Sequence, residues 1–210
     1  MIPAKADAVA QAQFLETKLR PRLHQAERGR RTVLFVDAAH FVYGPFLGFL
    51  WCLTRLFVPA PSGRKRYNVL AALDAITHRV IRVTNGSYIN AESVCQLLRQ
   101  IAAVGLPRPI TLVLDNARYQ RCELVQSLAR SLKIELLFMP SYSPNLNLIE
   151  RLWKFVKKEC LASKYLATYE GFTAAIDACL NNLHTRHKAK MDTLLTLKFQ
   201  TFENEPILTA

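Results

Sequence analysis

The 210-residue sequence contains no apolar run of about 18 residues or more, and its N-terminus lacks the apolar core of a signal peptide. A helix that spans a bilayer needs about 20 apolar residues. From these two absences we expect a soluble, intracellular protein. A chain of this length can bury its own core, so one catalytic domain with short extensions is expected.

Cysteine is scarce, odd in number and scattered, and no CxxC pair is present. This pattern argues against a disulfide framework or a structural zinc site. Reduced cysteines, mostly buried in the core, are expected instead. The five are Cys52, Cys95, Cys122, Cys160 and Cys179.

Acidic residues are also few, because 16 Asp and Glu stand against 28 Lys and Arg, which gives a net charge of +12. The pI is about 9.8. Such a charge favours a polyanionic partner and salt-sensitive binding. Ribosomal and membrane-surface proteins share this property, so the charge alone does not select nucleic acid.

Two short apolar runs, residues 31–36 and 111–114, are typical of buried strands, and each is followed by an acid, Asp37 or Asp115. Functional sites of open α/β sheets collect at the carboxyl ends of strands. If the two strands are parallel neighbours, Asp37 and Asp115 lie side by side. A simple Asx turn at Asp115 is an equally good interpretation of the strand pattern.

A third acid, Glu150, lies in a segment with helical periodicity. Ser143 and Pro144 predict the start of this helix, and Glu150 borders its apolar face. A surface pair between Glu150 and Lys154, one helical turn later, is the simpler alternative. The apolar face comprises Ile149, Leu152, Trp153, Val156 and Cys160.

Three carboxylates at one point repel one another unless a cation neutralises them. Ligation by carboxylate oxygens alone suits Mg²⁺ or Mn²⁺. Two such ions, roughly 4 Å apart, can activate an attacking oxygen and stabilise a leaving one in phosphoryl transfer. Asp37, Asp115 and Glu150 are therefore candidate ligands of two Mg²⁺ or Mn²⁺ ions.

Four sequence blocks carry a family resemblance: LFVDAAHFVYG, RYNVLAALD, TLVLDNARYQ and MPSYSPNLNLIERLWKFVKK. They resemble the catalytic domain of mariner-like insertion-sequence transposases, in the DDE endonuclease superfamily. The 34 residues between Asp115 and Glu150 match the spacing of one branch of that group. The resemblance extends from about residue 3 to residue 188, and its last block is highly specific.

The resemblance implies an α/β, ribonuclease-H-like fold, a five-stranded mixed sheet flanked by helices. It assigns Asp37, Asp115 and Glu150 to the metal-binding catalytic triad, and Asn116 to the Asn that often follows the second acid. The implied reaction is cleavage at the ends of the element and transfer of the freed 3′ hydroxyl into target DNA. The residues by themselves support metal-dependent phosphoryl transfer on a basic surface.

Several basic residues are candidate DNA contacts, although ordinary solvated positions explain each of them about equally well or better. Three lie in a turn-rich loop, one follows Asp115, and three follow Glu150 on its helix. They are Arg64, Lys65, Arg66, Arg118, Lys154, Lys157 and Lys158. His40 lies three residues after Asp37, where it either orients a phosphate or water or packs structurally. His184 and His187 have metal-compatible spacing, but a basic surface turn explains them better.

The remaining chain alternates between predicted strands and helices. Strands are expected at 67–74, 79–84 and 134–139, and helices at 90–104, 118–132 and 169–183. The expected domains are a helical arm or linker at 1–30, the catalytic domain at 31–188 and a tail at 189–210. A solvated helix is the favoured interpretation of the arm, ahead of a direct DNA contact. Asp74, at another strand end, does not match the triad.

The implied partners are DNA, both element ends and target, and a second copy of the chain in a homodimer. Members of the family that it resembles usually carry helix-turn-helix modules before the catalytic domain, and this sequence leaves no room for them. Two alternatives follow: the chain is a fragment, or a separate or frame-shifted reading frame encodes a helix-turn-helix DNA-binding product. The expected location is the bacterial cytoplasm, at the nucleoid when DNA is bound. Two alternatives stay open at this point: a ribonuclease-H-like nuclease without strand transfer, and a non-catalytic DNA-binding remnant.

Overall fold

The computed structural model describes residues 6–44, 53, 57, 65–162 and 164–201. Its centre is a mixed five-stranded sheet of order β3-β2-β1-β4-β5. β1 pairs in parallel with β4, and β4 with β5, whereas β2 runs antiparallel to both β1 and β3. The strands are β1 (Thr32–Val42), β2 (Arg66–Asp74), β3 (Val80–Asn85), β4 (Ile110–Leu114) and β5 (Ile134–Phe138).

Helices cover both faces of the sheet. They are α1 (Ala8–Phe14), α2 (Arg20–Glu27), α3 (Ala91–Ala103), α4 (Glu123–Ser131), α5 (Ile149–Val156), α6 (Tyr169–Asn181) and α7 (Lys188–Leu194). A π-helical turn (Leu15–Leu19) joins α1 to α2, and another (Lys157–Leu161) extends α5. Within the described ranges, no helix is long and apolar enough to cross a bilayer.

Alternation along β1 divides the core in two, because successive side chains of a strand point to opposite faces. Val33, Phe35, Ala39 and Phe41 pack with α1, α2, α5, α6 and α7, on what we call the α5 face. Leu34 and Val36 pack with α3 and α4, on the α3 face. A residue's place in β1 therefore decides which helices it meets.

Most predicted elements are present with small shifts at their ends. Asn90 caps α3 as expected, and its side chain accepts a hydrogen bond from the Ser93 N–H. The helix predicted at 118–132 begins only at Glu123, because residues 117–121 form tight backbone turns. Ser143 does not cap α5. Pro144 instead opens a 3₁₀ turn (Pro144–Leu146), and α5 begins at Ile149.

The N-terminal segment is not the solvated arm that its composition suggested. Its apolar residues fall on one side, where Leu15, Leu19 and Leu23 are almost completely buried in the core of the α5 face. The Arg22 guanidinium also pairs with Glu135 of β5. That hydrogen-bonded pairing lowers the pKa of Glu135 to about 2. Helices α1 and α2 are thus packed parts of the fold.

The C-terminal segment is likewise more than a tail up to residue 201. Met191 and Leu195 are buried in the same core, and Phe199 contacts Phe35 with ring centroids 5.9 Å apart. Arg151 of α5 donates hydrogen bonds to the carbonyls of residues 194, 196 and 198. These contacts hold the segment against the helix that carries Glu150.

The cysteines differ in one respect from the expected reduced set. Cys160, after α5, and Cys179 of α6 form a disulfide, because the packed helices bring their Cα atoms to 6.5 Å. Cys95 is free and buried, and Cys122 is free and half-buried. Cys52 lies outside the described residues.

Replacing Leu19 by Ala tests whether the N-terminal helices belong to the core. Leu19 is completely buried, so the cavity left behind should lower the free energy of unfolding by about 2 to 5 kcal/mol. Urea denaturation of the full chain measures this change. Val9→Ala on the preceding helix is the control, because Val9 is 75% exposed and its loss should change stability by no more than about 0.5 kcal/mol. Equal effects of the two variants would contradict a core role.

Candidate active site

Asp37 and Asp115 are brought together by the parallel pairing of β1 with β4. The last paired residues are Phe35 and Val113, and each acid lies two positions further along its strand direction. Asp37 does not end β1, as the sequence suggested, because β2 continues to pair with β1 as far as Val42. The first acid therefore sits within a strand, at the point where the neighbouring strand stops.

The sequence left open whether Asp115 belongs to a functional site or to an Asx turn, and the structure shows features of both. Its Oδ1 accepts a hydrogen bond from the Ala117 N–H at 3.1 Å, which is an Asx turn, and its side chain also lines a cavity. The neighbouring Asn116 donates to the Met139 carbonyl. That bond connects the end of β4 to the end of β5. Two hydrogen bonds therefore hold the turn that carries Asp115, the one within the Asx turn and the one from Asn116 to Met139.

Glu150 reaches the same cavity from the first turn of α5. The apolar face predicted for this helix is confirmed, because Ile149, Leu152, Trp153 and Val156 are all buried. Their burial fixes the rotation of the helix, and Glu150 at the border remains half-buried. Among the ion pairs of the described residues there is none between Glu150 and Lys154, so the simpler alternative does not occur.

The cavity shared by the three acids has a volume of about 360 Å³. Burial, reinforced by the charges of Glu150 and Asp115, raises the pKa of Asp37 to about 7. The indole Nε1 of Trp153 donates a 3.0 Å hydrogen bond to Asp37 Oδ2. This hydrogen bond favours the ionised carboxylate and so lowers the pKa of Asp37. The side chain of Asp37 is thus oriented by α5, the same helix that carries Glu150.

The three carboxylates do not form a closed ligand set. Within the part of the chain that is described, no group of three His, Cys, Asp or Glu side chains is arranged to hold a metal ion. Repulsion opposes the approach of ionised carboxylates, and a divalent cation bound among them would offset that charge. The donor chemistry fits Mg²⁺ or Mn²⁺, since all three side chains offer oxygen.

A larger cavity, of about 600 Å³, lies elsewhere and contains none of the three acids. Its one acid at a strand end, Asp74, is buried and accepts hydrogen bonds from the N–H groups of Ile76 and Thr77. Asp74 thus serves a turn, in agreement with its exclusion from the triad. The three predicted catalytic acids line the smaller cavity instead.

Three of the other predicted site residues lie away from the triad. His40 is on the face of β1 opposite Asp37 and bonds through Nδ1 to Asn68 Oδ1 at 2.7 Å. Arg66 begins β2 beside Val42, five positions beyond Asp37 in the strand. The ammonium of Lys65 lies 5.3 Å above the Tyr169 ring. Arg64 lies outside the described residues.

Four other basic candidates are exposed near the acids in sequence. Arg118 lies in the turn after Asp115. Lys154, Lys157 and Lys158 occupy the exposed side of α5 and its extension. The two C-terminal histidines do not form a pair, since His187 is buried against Phe155 while His184 is exposed.

Sequence reasoning missed the polar partners that hold the acids. Trp153 was assigned to the apolar face alone, although a buried indole usually finds a hydrogen-bond acceptor. The sequence offered one signal for this contact. A buried indole needs an acceptor, and Trp153 lies one helical turn after Glu150, on the neighbouring part of the helix surface. Asn147 was missed as well. It is buried, lines the cavity and donates a long, 3.5 Å bond to the Val36 carbonyl next to Asp37.

The family model described as DDE superfamily endonuclease matches residues 54–173, more than half of the chain. The chain belongs to this family. The sequence prediction of a DDE endonuclease is thereby confirmed. The acids Asp115 and Glu150 lie within the matched residues, and Asp37 precedes them.

A protein described as the uncharacterized 39 kDa protein of insertion element IS630, from Shigella sonnei, is 30% identical over 125 residues. The match covers 58% of this DDE endonuclease and 36% of that protein. The chain thus spans about a third of the curated relative it matches.

Two solved structures share the fold. They are the Mos1 mariner paired-end complex with Mn, with a TM-score of 0.64, and the Mos1 transposase paired-end complex with left transposon end, with a TM-score of 0.62. Each is 16% identical and covers 95% of this chain and 66% of the other. Together with the sheet order, they confirm the ribonuclease-H-like fold.

Removing one carboxylate should stabilise the protein in the absence of divalent cations. Glu150→Gln relieves repulsion on Asp37, so we expect the free energy of unfolding to rise by about 1 kcal/mol at pH 8 in EDTA. Asp37 has its pKa raised to about 7, so it is largely protonated in the folded state at pH 5, and the gain should shrink there. Denaturant unfolding at the two pH values measures both effects.

Glu170→Gln is the matched control for that comparison. Glu170 also lies in the first turn of a helix, α6, but outside the cavity. This variant should not gain stability at either pH. A stabilisation of the same size in both variants would mean that repulsion within the cavity is not the cause.

Proposed function

We propose that this DDE endonuclease is the catalytic part of an insertion-sequence transposase. It cuts phosphodiester bonds at the ends of its element and joins the freed 3′ hydroxyl to target DNA. The observation that carries the proposal is the meeting of Asp37, Asp115 and Glu150, from β1, β4 and α5, at one cavity. The IS630 relative, which belongs to an insertion element, and the fold shared with Mos1 transposase support it.

Asp37, Asp115 and Glu150 would hold the divalent cations, two Mg²⁺ or Mn²⁺ ions in our proposal. One of the similar Mos1 structures is a complex with Mn, which agrees with this choice. When bound, such ions neutralise the carboxylates, activate the attacking oxygen and stabilise the leaving 3′ oxygen. The chain contributes position and charge.

The surrounding residues keep the acids in place. Trp153 orients Asp37 through its indole N–H, and Asn116 anchors the turn that carries Asp115. Burial of the apolar side of α5 sets the direction of Glu150. These supports come from the sheet and from a packed helix, so they limit how far the backbone at each acid can move.

DNA is the proposed substrate, both as element end and as target. The net charge of +12 favours a polyanion, and one similar Mos1 structure contains a left transposon end. Lys154, Lys157 and Lys158 are the proposed backbone contacts beside Glu150, with Arg118 beside Asp115. Lys65 and Arg66 would contact DNA further from the acids.

The assembly would be a homodimer that holds two element ends, and it would act on DNA in the bacterial cytoplasm, at the nucleoid. The similar Mos1 structures are described as paired-end complexes, which supports this arrangement. Recognition of the end sequence by a separate helix-turn-helix product stays a prediction.

Nicking of supercoiled plasmid by the full chain, with Mg²⁺, Mn²⁺ or EDTA, tests the active site. Wild type should nick only with a divalent ion. Asp115→Asn and Glu150→Gln should each lower the rate by roughly 100-fold or more, since a lost ligand should cost at least as much as a lost ligand support. Glu170→Gln is the control, and gel-shift binding to DNA should persist in every variant. Divalent-dependent nicking that survives in Glu150→Gln would refute the assignment.

The joining step separates a transposase from a simple nuclease. The full chain is given a labelled duplex with the element's 3′ end, unlabelled plasmid and Mn²⁺. Joined product that requires Asp115 and Glu150 is expected. Nicking without joining would instead support a ribonuclease-H-like nuclease. The absence of both nicking and joining would support a non-catalytic DNA-binding remnant.

A further inference from the structure

The loop between β5 and α5, residues 140–147, forms one wall of the cavity and leads directly into Glu150. We call it the active-site loop. Tyr142 within it has a φ of +57°, in the left-handed region that costs energy for a residue other than glycine. Such a backbone persists only when its surroundings hold it.

Gln11 of α1 provides part of that restraint. Its side chain is completely buried although it is 131 residues away in sequence from the loop. Nε2 donates to the Tyr142 carbonyl at 3.2 Å, and Oε1 accepts from Asn145 Nδ2 at 2.9 Å. The side-chain amide of Gln11 thus forms hydrogen bonds with two residues of the loop, and one of them is Tyr142, which has the positive φ.

Asn145 connects the same loop to the other end of the chain. Its Nδ2 also donates to the Gln200 carbonyl at 2.8 Å. The segment around Gln200 is itself fixed, because Arg151 donates to the carbonyls of Thr196 and Lys198 and the Arg151 guanidinium lies over the Phe199 ring. Arg151 directly follows Glu150, so the loop and the start of α5 share one support.

We propose that Gln11 and Asn145 are positioning residues that clamp the active-site loop, so that both ends of the chain form part of the catalytic unit. The proposal rests on the function proposed above, because its consequence is the placement of Glu150 relative to Asp37 and Asp115. Releasing the clamp lets the strained loop relax and moves the first turn of α5. The carboxylates then hold a cation less well, while the DNA-facing lysines further along α5 stay in place.

The test uses the full chain with Gln11→Ala, Asn145→Ala and the double variant. Hydrogen exchange followed by mass spectrometry should show roughly tenfold faster exchange in peptides covering 140–147, with the sheet unchanged. The Mn²⁺ concentration for half-maximal nicking should rise roughly tenfold or more, while the KM for DNA stays the same. The double variant should be little worse than either single one, because the residues act through one network.

Asn182→Ala is the matched control. Asn182 also uses its side-chain amide to bond a carbonyl, that of Ala178, but it lies at the end of α6 outside the cavity. It should change neither loop exchange nor the Mn²⁺ requirement. If Gln11→Ala does not fold, Asn145→Ala carries the test, because Asn145 is only half-buried.

The outcomes separate the clamp from the proposed function. Unchanged exchange of the loop in the folded variants, or an unchanged Mn²⁺ requirement with altered exchange, would overturn the positioning role. If wild type itself does not nick DNA with Mn²⁺, the proposed function fails. The rate of amide hydrogen exchange in residues 140–147 then still decides whether Gln11 and Asn145 hold the loop.

Discussion

Hydrogen bonds between the parallel strands β1 and β4 end at Phe35 and Val113, and the first two carboxylates lie just beyond them. The rest of the site depends on this pairing. Because β4 stops while β1 continues beside β2, a gap opens at the sheet edge where Asp37 meets Asp115. The third acid has to enter that gap from outside the sheet, and α5 delivers it by burying its apolar side against β1 and its neighbours.

The grouping of three acids opposes the stability of the fold. Burial, with smaller contributions from the charges of Glu150 and Asp115, raises the pKa of Asp37, so folding costs free energy where Asp37 is ionised. The fold tolerates this because the strands, Trp153 and the core of the α5 face hold the acids. A divalent cation held by these carboxylates would remove the repulsion, which is consistent with a reaction that needs charge neutralisation.

The described segments near the two ends of the chain contribute more to the site than their sequences suggested. The N-terminal helices share the core of the α5 face, and Gln11 reaches the active-site loop from there. The C-terminal segment packs on Phe35 and is bonded to Arg151. The packed core that supports the site therefore extends beyond the four motif blocks, and its supports come from residues far apart in sequence.

The sequence by itself determined most of the elements and pointed to the three acids. Apolar runs marked β1 and β4, helical spacing marked the buried face of α5, and the motif blocks pointed to Asp37, Asp115 and Glu150, because these signals depend on neighbouring residues. Tertiary structure alone decided that β1 continues past Asp37 beside β2, so strand alternation places His40 on the face opposite Asp37. It also decided which polar partners met, such as Trp153 with Asp37 and Gln11 with the loop. These partners are more than a hundred residues apart in sequence. Their contacts depend on how the helices pack on the sheet, which no local sequence pattern predicts.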